Sequence, residues 1–321
     1  MKVGNLNLHP AQENQYLPEG LEPERKVKIW AIGGGKGGVG KSLLTANTSI
    51  CLALMGYKVV AIDLDLGGAN LHTTLGVSIP EATLSDYLTK KVARFEDLLT
   101  PTLIENLYIV SGAQDDVGMA NLKQMHKNKI LNKLSELDAD YILLDLGAGT
   151  SFNTLDFFIS ADQGILTALP EPTSIENTYR FIRSIYHRKL KMAEELLEVG
   201  PLIDRALNAK IQSQATPAEL IDKVIEINEE KGLLLKAEIE KLSPKLVINQ
   251  ARTQADVDIG HSMKIICKKY FGIQLDYVGY LDYDATVWQS VKKRKPLLME
   301  FPNSTLVNSF DRIVHRLLNL T

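Results

Sequence analysis

The chain has 321 residues, of which 45% are hydrophobic and 23% charged, and its formal net charge is −3 at pH 7. That is the composition of an ordinary globular protein, long enough for one large α/β domain or two smaller ones; it excludes whole-molecule attraction to nucleic acid or anionic lipid, so any such contact must come from a local patch. The two cysteines, Cys51 and Cys267, form no CxxC and join no His/Cys cluster, which argues for a reducing compartment and against a disulfide scaffold, a structural zinc or a cysteine-held cluster.

From Met1 to Lys26 the chain is polar, carries Pro10, Pro18 and Pro23, and has no apolar stretch of the secretory-signal kind. No run of 18 apolar residues occurs anywhere, so no membrane span is predicted and the expected location is cytoplasmic. Val27 to Ile32 reads as a short buried strand ending in a glycine-rich turn. Ser42 to Met55 reads as a helix, with Gly56 where a C-terminal cap glycine stands. Lys58 to Ile62 is apolar and β-branched, as a parallel strand covered on both faces should be. Strand signals recur at Leu107–Val110, Tyr141–Leu144, Ile165–Ala168, Leu246–Ile248 and Tyr277–Leu281, with helical stretches such as Lys123–Leu137 and Ile175–His187 between them. Alternation of this kind predicts an α/β fold with a doubly wound, mostly parallel sheet and helices on both faces, whose ligands sit at the carboxyl ends of the strands. Between Tyr186 and Pro244 the chain is highly charged, helix-forming and free of strand signals. It reads as an α-helical insertion, at about 187–244, in a single α/β domain running from 27 to 321.

Gly35-Lys36-Gly37-Gly38-Val39-Gly40-Lys41-Ser42 satisfies G-x-x-x-x-G-K-[ST], and it lies between a predicted strand and a predicted helix. Its glycines let backbone N–H groups turn inward around phosphates, and the following helix, entered through Ser42 and Leu43, points its positive end at them. The predicted ligands are therefore ATP and Mg²⁺. Lys41 reaches the β- and γ-phosphates and the Ser42 hydroxyl meets the metal. A second lysine, Lys36, comes too early in the loop to cradle the same β-phosphate; by spacing alone it could equally be a solvated side chain.

GGGKGGVGKS resembles the deviant phosphate loop of the MinD/ParA family of ATPases, whose early lysine crosses a dimer interface to the partner's nucleotide. The resemblance runs from Lys28 to Leu318. It implies that Lys36 supplies charge in trans, that ATP drives homodimerisation, and that Lys36, Lys41 and Asp65 form the catalytic set. Ala61-Ile62-Asp63-Leu64-Asp65, followed by a glycine-bearing loop and Asn70, is similar to the family's second motif. On that likeness Asp65 organises water and the metal shell, Asp63 supports the strand end and Asn70 belongs to switch I. A carboxylate at a strand end is otherwise commonly a solvated cap. Tyr141 to Gly149 (YILLDLGAG) resembles Walker B running into switch II, with Asp145 on a metal-bound water and the Gly147 backbone as γ-phosphate sensor. The implied metal set is Ser42, Asp65 and Asp145. Thr167 to Glu176 (TALPEPTSIE) is similar to the family's strand-to-helix turn beside the nucleotide, and Asn249 matches a position that contacts adenine. Gly279 to Asp284 corresponds to a G-x-I-P-x-D loop in which Asp282 replaces the proline, so a base contact from this loop is not expected.

The wording of the motifs is nearest to flagellar-number regulators of the FlhG/FleN kind and their MinD-like relatives. The expected function is an ATP-hydrolysing switch that dimerises with ATP, engages an as yet unidentified protein and regulates cellular positioning or assembly. A ParA-like partitioning ATPase that binds DNA is the alternative, through the run Lys292, Lys293, Arg294 and Lys295. Cluster-carrying relatives need cysteines placed at the switch motifs, and neither Cys51, inside the P-loop helix, nor Cys267 is so placed; kinase relatives carry a tyrosine-rich tail that is missing here. Val307, Phe310, Ile313, Val314, Leu317 and Leu318 form an apolar stripe near the C-terminus. It matches the last helix of the ATPase fold, and the chain stops three residues later, so a core helix is expected in place of stable membrane anchoring.

Overall fold

A computed structural model describes residues 26–65, 68–112, 124–208 and 216–320. The polar arm, apart from Lys26, therefore lies outside the described residues. Strand β1 (Lys28–Gly33) feeds the glycine loop and helix α1 (Lys41–Leu54), and β2 (Val59–Leu64) follows. After two short helices, α2 (Leu71–Thr74) and α3 (Leu84–Leu88), come the two-residue strand β3 (Thr100–Pro101) and β4 (Leu107–Val110). Then α4 (Gln124–Ser135), β5 (Tyr141–Leu146), α5 (Phe152–Ser160) and β6 (Gln163–Ala168) alternate. Four helices separate β6 from β7 (Lys245–Ala251): α6 (Pro172–Leu197), α7 (Gly200–Asn208), α8 (Pro217–Ile227) and α9 (Glu229–Glu240). The chain closes with α10 (Gln254–Phe271), β8 (Asp276–Asp282), α11 (Ala285–Lys293), α12 (Leu297–Glu300) and α13 (Thr305–Leu317).

The strands form one eight-stranded sheet in the order β3-β4-β2-β5-β1-β6-β7-β8. All neighbours pair in parallel except β3, which runs antiparallel to β4 at the edge. Strand side chains alternate between faces, and that periodicity divides the core in two. Ala31, Val60, Ile62 and Leu166 point into one apolar layer with Phe158, Phe181 and Tyr186. Trp30, Ile32, Val59 and Ala61 point into the other, with Leu44, Ile50 and Phe310. Burial on both faces is why β2 (VVAIDL) and β5 (YILLDL) are apolar throughout until their aspartates. Strand order reverses at β1, which lies between β5 and β6, so the loop after β1 opens at the topological switch point where such sheets bind ligands.

The eight-stranded, mostly parallel sheet with flanking helices is the architecture the alternation predicts. Helix α6 differs in length: it runs past His187 to Leu197, since KLKMAEELL holds no stop signal, and it ends at Glu198 in the left-handed region, φ 51°. Helices α2 and α3 and strand β3 are too short to leave a periodic signature. At the C-terminus α13 buries Val307, Phe310, Ile313, Val314 and Leu317, so the apolar stripe is a core face, packed with α1 and β8 residues.

Candidate nucleotide site

The loop after β1 is braced from three directions. Thr167, at the end of β6, donates its hydroxyl to the Val39 carbonyl at 3.2 Å, and Asn249, on β7, donates Nδ2 to the same oxygen at 2.9 Å. Gly149 donates its N–H to the Gly34 carbonyl at 3.3 Å, which ties the segment after β5 to the loop. Gly40 stands at φ 97°, and a Cβ there would lie 2.1 Å from Asn249 Nδ2; the glycine is required by both the backbone angle and the brace. A Cβ on Gly35 would lie 2.2 Å from the Asn177 carbonyl oxygen of α6. Gly37 and Gly38 are exposed at the tip of the loop, and Val39 is buried beneath it.

Lys41 is 7% exposed and Leu43 half-buried. Thr45, one turn into α1, donates its hydroxyl to the Lys41 carbonyl at 3.0 Å and to Asp145 Oδ1 at 3.2 Å. The Ser42 hydroxyl lies beside the Asp145 carboxylate and favours its charged form. Asp145 and Asp63 are register partners at the ends of β5 and β2, each 1% exposed. Asp63 accepts the N–H groups of Asp65 and Leu71, both at 3.0 Å, and so ties the end of β2 to the start of α2. Burial, and then the Asp145 charge, pushes the Asp63 carboxyl well above the carboxylate range. Burial likewise raises Asp145, against the lowering pull of Ser42, Lys41 and Thr45. Asp65 sits at the mouth: a Cβ on Gly147 would lie 3.4 Å from its Oδ1. Asn70 donates Nδ2 to the Gly68 carbonyl at 2.7 Å and precedes α2.

This donor set fits Mg²⁺ with a polyphosphate. Two buried carboxylates side by side are held ionised by a divalent cation, and a hydroxyl stands against one of them. Among the described residues no three His, Cys, Asp or Glu side chains form an all-protein metal cage. An ion of this kind takes most of its ligands from water and phosphates.

Ser42, Lys41, Asp63, Asp65, Asp145 and Gly147 thus converge at the carboxyl end of the sheet. Two of the singled-out residues are engaged in other ways. Asn249 has its Nδ2 on Val39, and its Oδ1 accepts the Gln250 N–H at 2.9 Å, so in this conformation its amide braces the loop. Lys36 Nζ faces out and rests within its own chain on Glu171 Oε2 at 3.3 Å and Thr173 Oγ1 at 3.4 Å. The sequence reading singled out neither Thr45 nor the brace from Thr167. Thr45 lies four residues after Lys41, on the same face of α1, and that spacing was the available signal.

Fold and loop together define a P-loop nucleoside-triphosphatase. The sequence profile of the AAA domain family matches residues 27–198, and the chain belongs to that family, in its MinD/ParA branch of ATPases. The antiactivator FleN of Pseudomonas aeruginosa is 24% identical over 90% of this chain and 86% of its own length. The flagellum site-determining protein YlxH of Helicobacter pylori is 32% identical over 49% of this chain and 53% of its own length. In fold, the chain is similar to the septum site-determining protein MinD of Pyrococcus horikoshii, solved as a complex with Mg-ADP. The TM-score is 0.61 at 23% identity, covering 92% of this chain and 97% of that one.

Proposed function

We propose that the protein is a slow, Mg²⁺-dependent ATPase switch that dimerises when it binds ATP and, as a dimer, engages a protein partner to regulate cellular positioning or assembly, such as flagellar number and placement. The observation that carries this reading is the division of labour between two lysines of one loop. Lys41 is buried beside Asp145, while Lys36 projects outward where a second copy could be met. Backbone N–H groups of Gly35 to Ser42 and the Lys41 ammonium hold the phosphates. Ser42 and Asp145 hold the metal shell, Asp65 positions the attacking water, and the Gly147 backbone senses the γ-phosphate. Lys36 leaves Glu171 to reach the partner's nucleotide. ATP and Mg²⁺ supply the charge that this electropositive loop and acidic strand edge are arranged to bind.

In this reading residues 27–321 are one ATPase domain, and 187–244 is a helical elaboration of it that sits away from the nucleotide. The name of YlxH supports a flagellar role and that of MinD a role in division-site selection. Among the described residues no helix is long and apolar enough to cross a membrane. The DNA-binding alternative has less support. Lys293 and Lys295 are both paired with Glu300, at 2.7 and 3.0 Å, so half of the basic run shares one carboxylate that a phosphate would have to displace.

The test is light scattering of the Asp65→Ala variant with saturating ATP and Mg²⁺. The expected result is a stable dimer with slow turnover, reverting to monomer on adding Lys36→Ala. A monomer in Asp65→Ala that nonetheless binds ATP would overturn the trans-lysine mechanism.

A further inference from the structure

We infer that the outer face of α11, with the adjoining ends of β7 and β8, is a docking surface for an acidic protein segment that carries a large apolar side chain. Helix α11 fully buries Ser290 alone. Its Trp288 is 65% exposed and Val291 45%, whereas the other tryptophan, Trp30, is 3% exposed. Trp288, Val291 and Lys292 are three and four residues apart and share a face of the helix, and Lys292 Nζ stands 5.0 Å from the Trp288 ring centroid. Tyr283, 52% exposed, is fixed by its N–H on the Ala251 carbonyl at 2.9 Å, and the Arg252 guanidinium stacks on its ring at 4.1 Å. Tryptophan, tyrosine and arginine are the side chains that dominate protein interfaces when truncated.

The platform is also rigid. Asp284 caps α11 through the Thr286 N–H at 2.8 Å and accepts the Ser304 hydroxyl at 2.8 Å, while Glu300 clamps Lys293 and Lys295. A rigid surface loses little side-chain freedom when a partner binds. Lys292 and Arg294 have no acidic partner in an ion pair among the described residues, and Asp256, which feels the Arg252 charge, accepts the backbone amides of Arg252 and Thr253. The face is therefore aromatic, apolar and positive, and its complement combines carboxylates with one apolar anchor. A nucleic-acid strand fits less well, since Lys293 and Lys295 are held in ion pairs with Glu300, which offsets one of their two charges, and each ring already carries a cation on one face. The same carboxylate thins the basic complement for anionic lipid.

The test uses the full chain and a fluorescein-labelled synthetic peptide with glutamates on both sides of one central phenylalanine, without nucleotide, so the outcome is separate from that of the dimer reading. The expected result is saturable binding by anisotropy with a shift of tryptophan emission arising from Trp288, since Trp30 is buried. Trp288→Ala and Arg294→Glu should each weaken the affinity at least about tenfold, and Trp288→Tyr should restore most of it. Circular dichroism checks that each variant keeps its fold. Affinity unchanged in both variants would overturn the proposal. So would tighter binding to polyglutamate lacking phenylalanine, to a single-stranded oligonucleotide or to vesicles of anionic lipid.

Discussion

Gly40 shows how little freedom the phosphate loop has. Its φ of 97° strains any residue with a Cβ, by about 1–2 kcal/mol, and the Asn249 amide occupies the space a methyl would need. Gly40→Ala should therefore lose nucleotide binding while the sheet stays folded. Titration with a fluorescent ATP analogue, beside circular dichroism, checks this, and adding Asn249→Ala should not rescue it because the backbone strain remains. The cysteines are a second case. Cys51 and Cys267 are both 0% exposed, and burial pushes their thiols up, that of Cys267 to about 12. Thiolate is the reactive form, so both should resist a thiol-titrating disulfide reagent until the chain is unfolded. Rapid native labelling of either would contradict the packing.

Among the elements, α5 and α6 matter beyond their share of the core. Helix α5 is capped by Ser151, two residues after Gly149, and Ser151 Oγ accepts the Thr154 N–H. Its Asp156 is paired with Lys127 of α4 and, at 2.7 Å, with Arg188 of α6. The next residue of α6, Lys189, is paired with Glu238 of α9 at 3.2 Å. Two sets of ion pairs, on adjacent residues of α6, thus join α6 to α4 and α5 on one side and to α9 on the other. Asp156→Ala leaves the buried Lys127 ammonium uncompensated, and removing one partner of such a pair costs about 3–5 kcal/mol. Chemical denaturation should show a loss of that order. A loss below about 1 kcal/mol would mean that Lys127 reaches water in the variant.

For the whole molecule, ligand binding and folding are linked, because the site exists only where β1, β2, β5, β6 and β7 are assembled. A ligand at one hundred times its dissociation constant stabilises the folded chain by about 2.7 kcal/mol. Mg-ATP should raise the melting temperature, ATP with a chelator should raise it less, and Lys41→Ala should show neither rise. Differential scanning fluorimetry checks all three. An equal rise in Lys41→Ala would place the nucleotide elsewhere.

The sheet itself was legible because its code is local. VVAIDL and YILLDL are uniformly apolar up to their aspartates, since strands covered on both faces have no solvent side, and Asp63 and Asp145 fall at the strand ends where parallel register makes them neighbours. The phosphate loop was legible for the same reason: Gly35 to Ser42 are contiguous, and Gly38 and Gly40 take the positive φ that the turn requires. The edge strand β3 and the turns of α2 and α3 were not legible, because two to five residues hold too few repeats for a period. Tertiary structure alone decided the pairings between distant residues. Asn249 lies 210 positions from the Val39 carbonyl it braces, and Lys36 rests on Glu171, 135 positions away. It also decided the charges: Lys292, Lys293, Arg294 and Lys295 read as one basic run, yet Glu300 binds Lys293 and Lys295 and offsets one of their two charges, while Trp288 and Lys292 face outward. A sequence carries its backbone preferences and periodicities within a few residues, but a hydrogen bond or ion pair depends on two side chains arriving at one place, which only the closed fold determines.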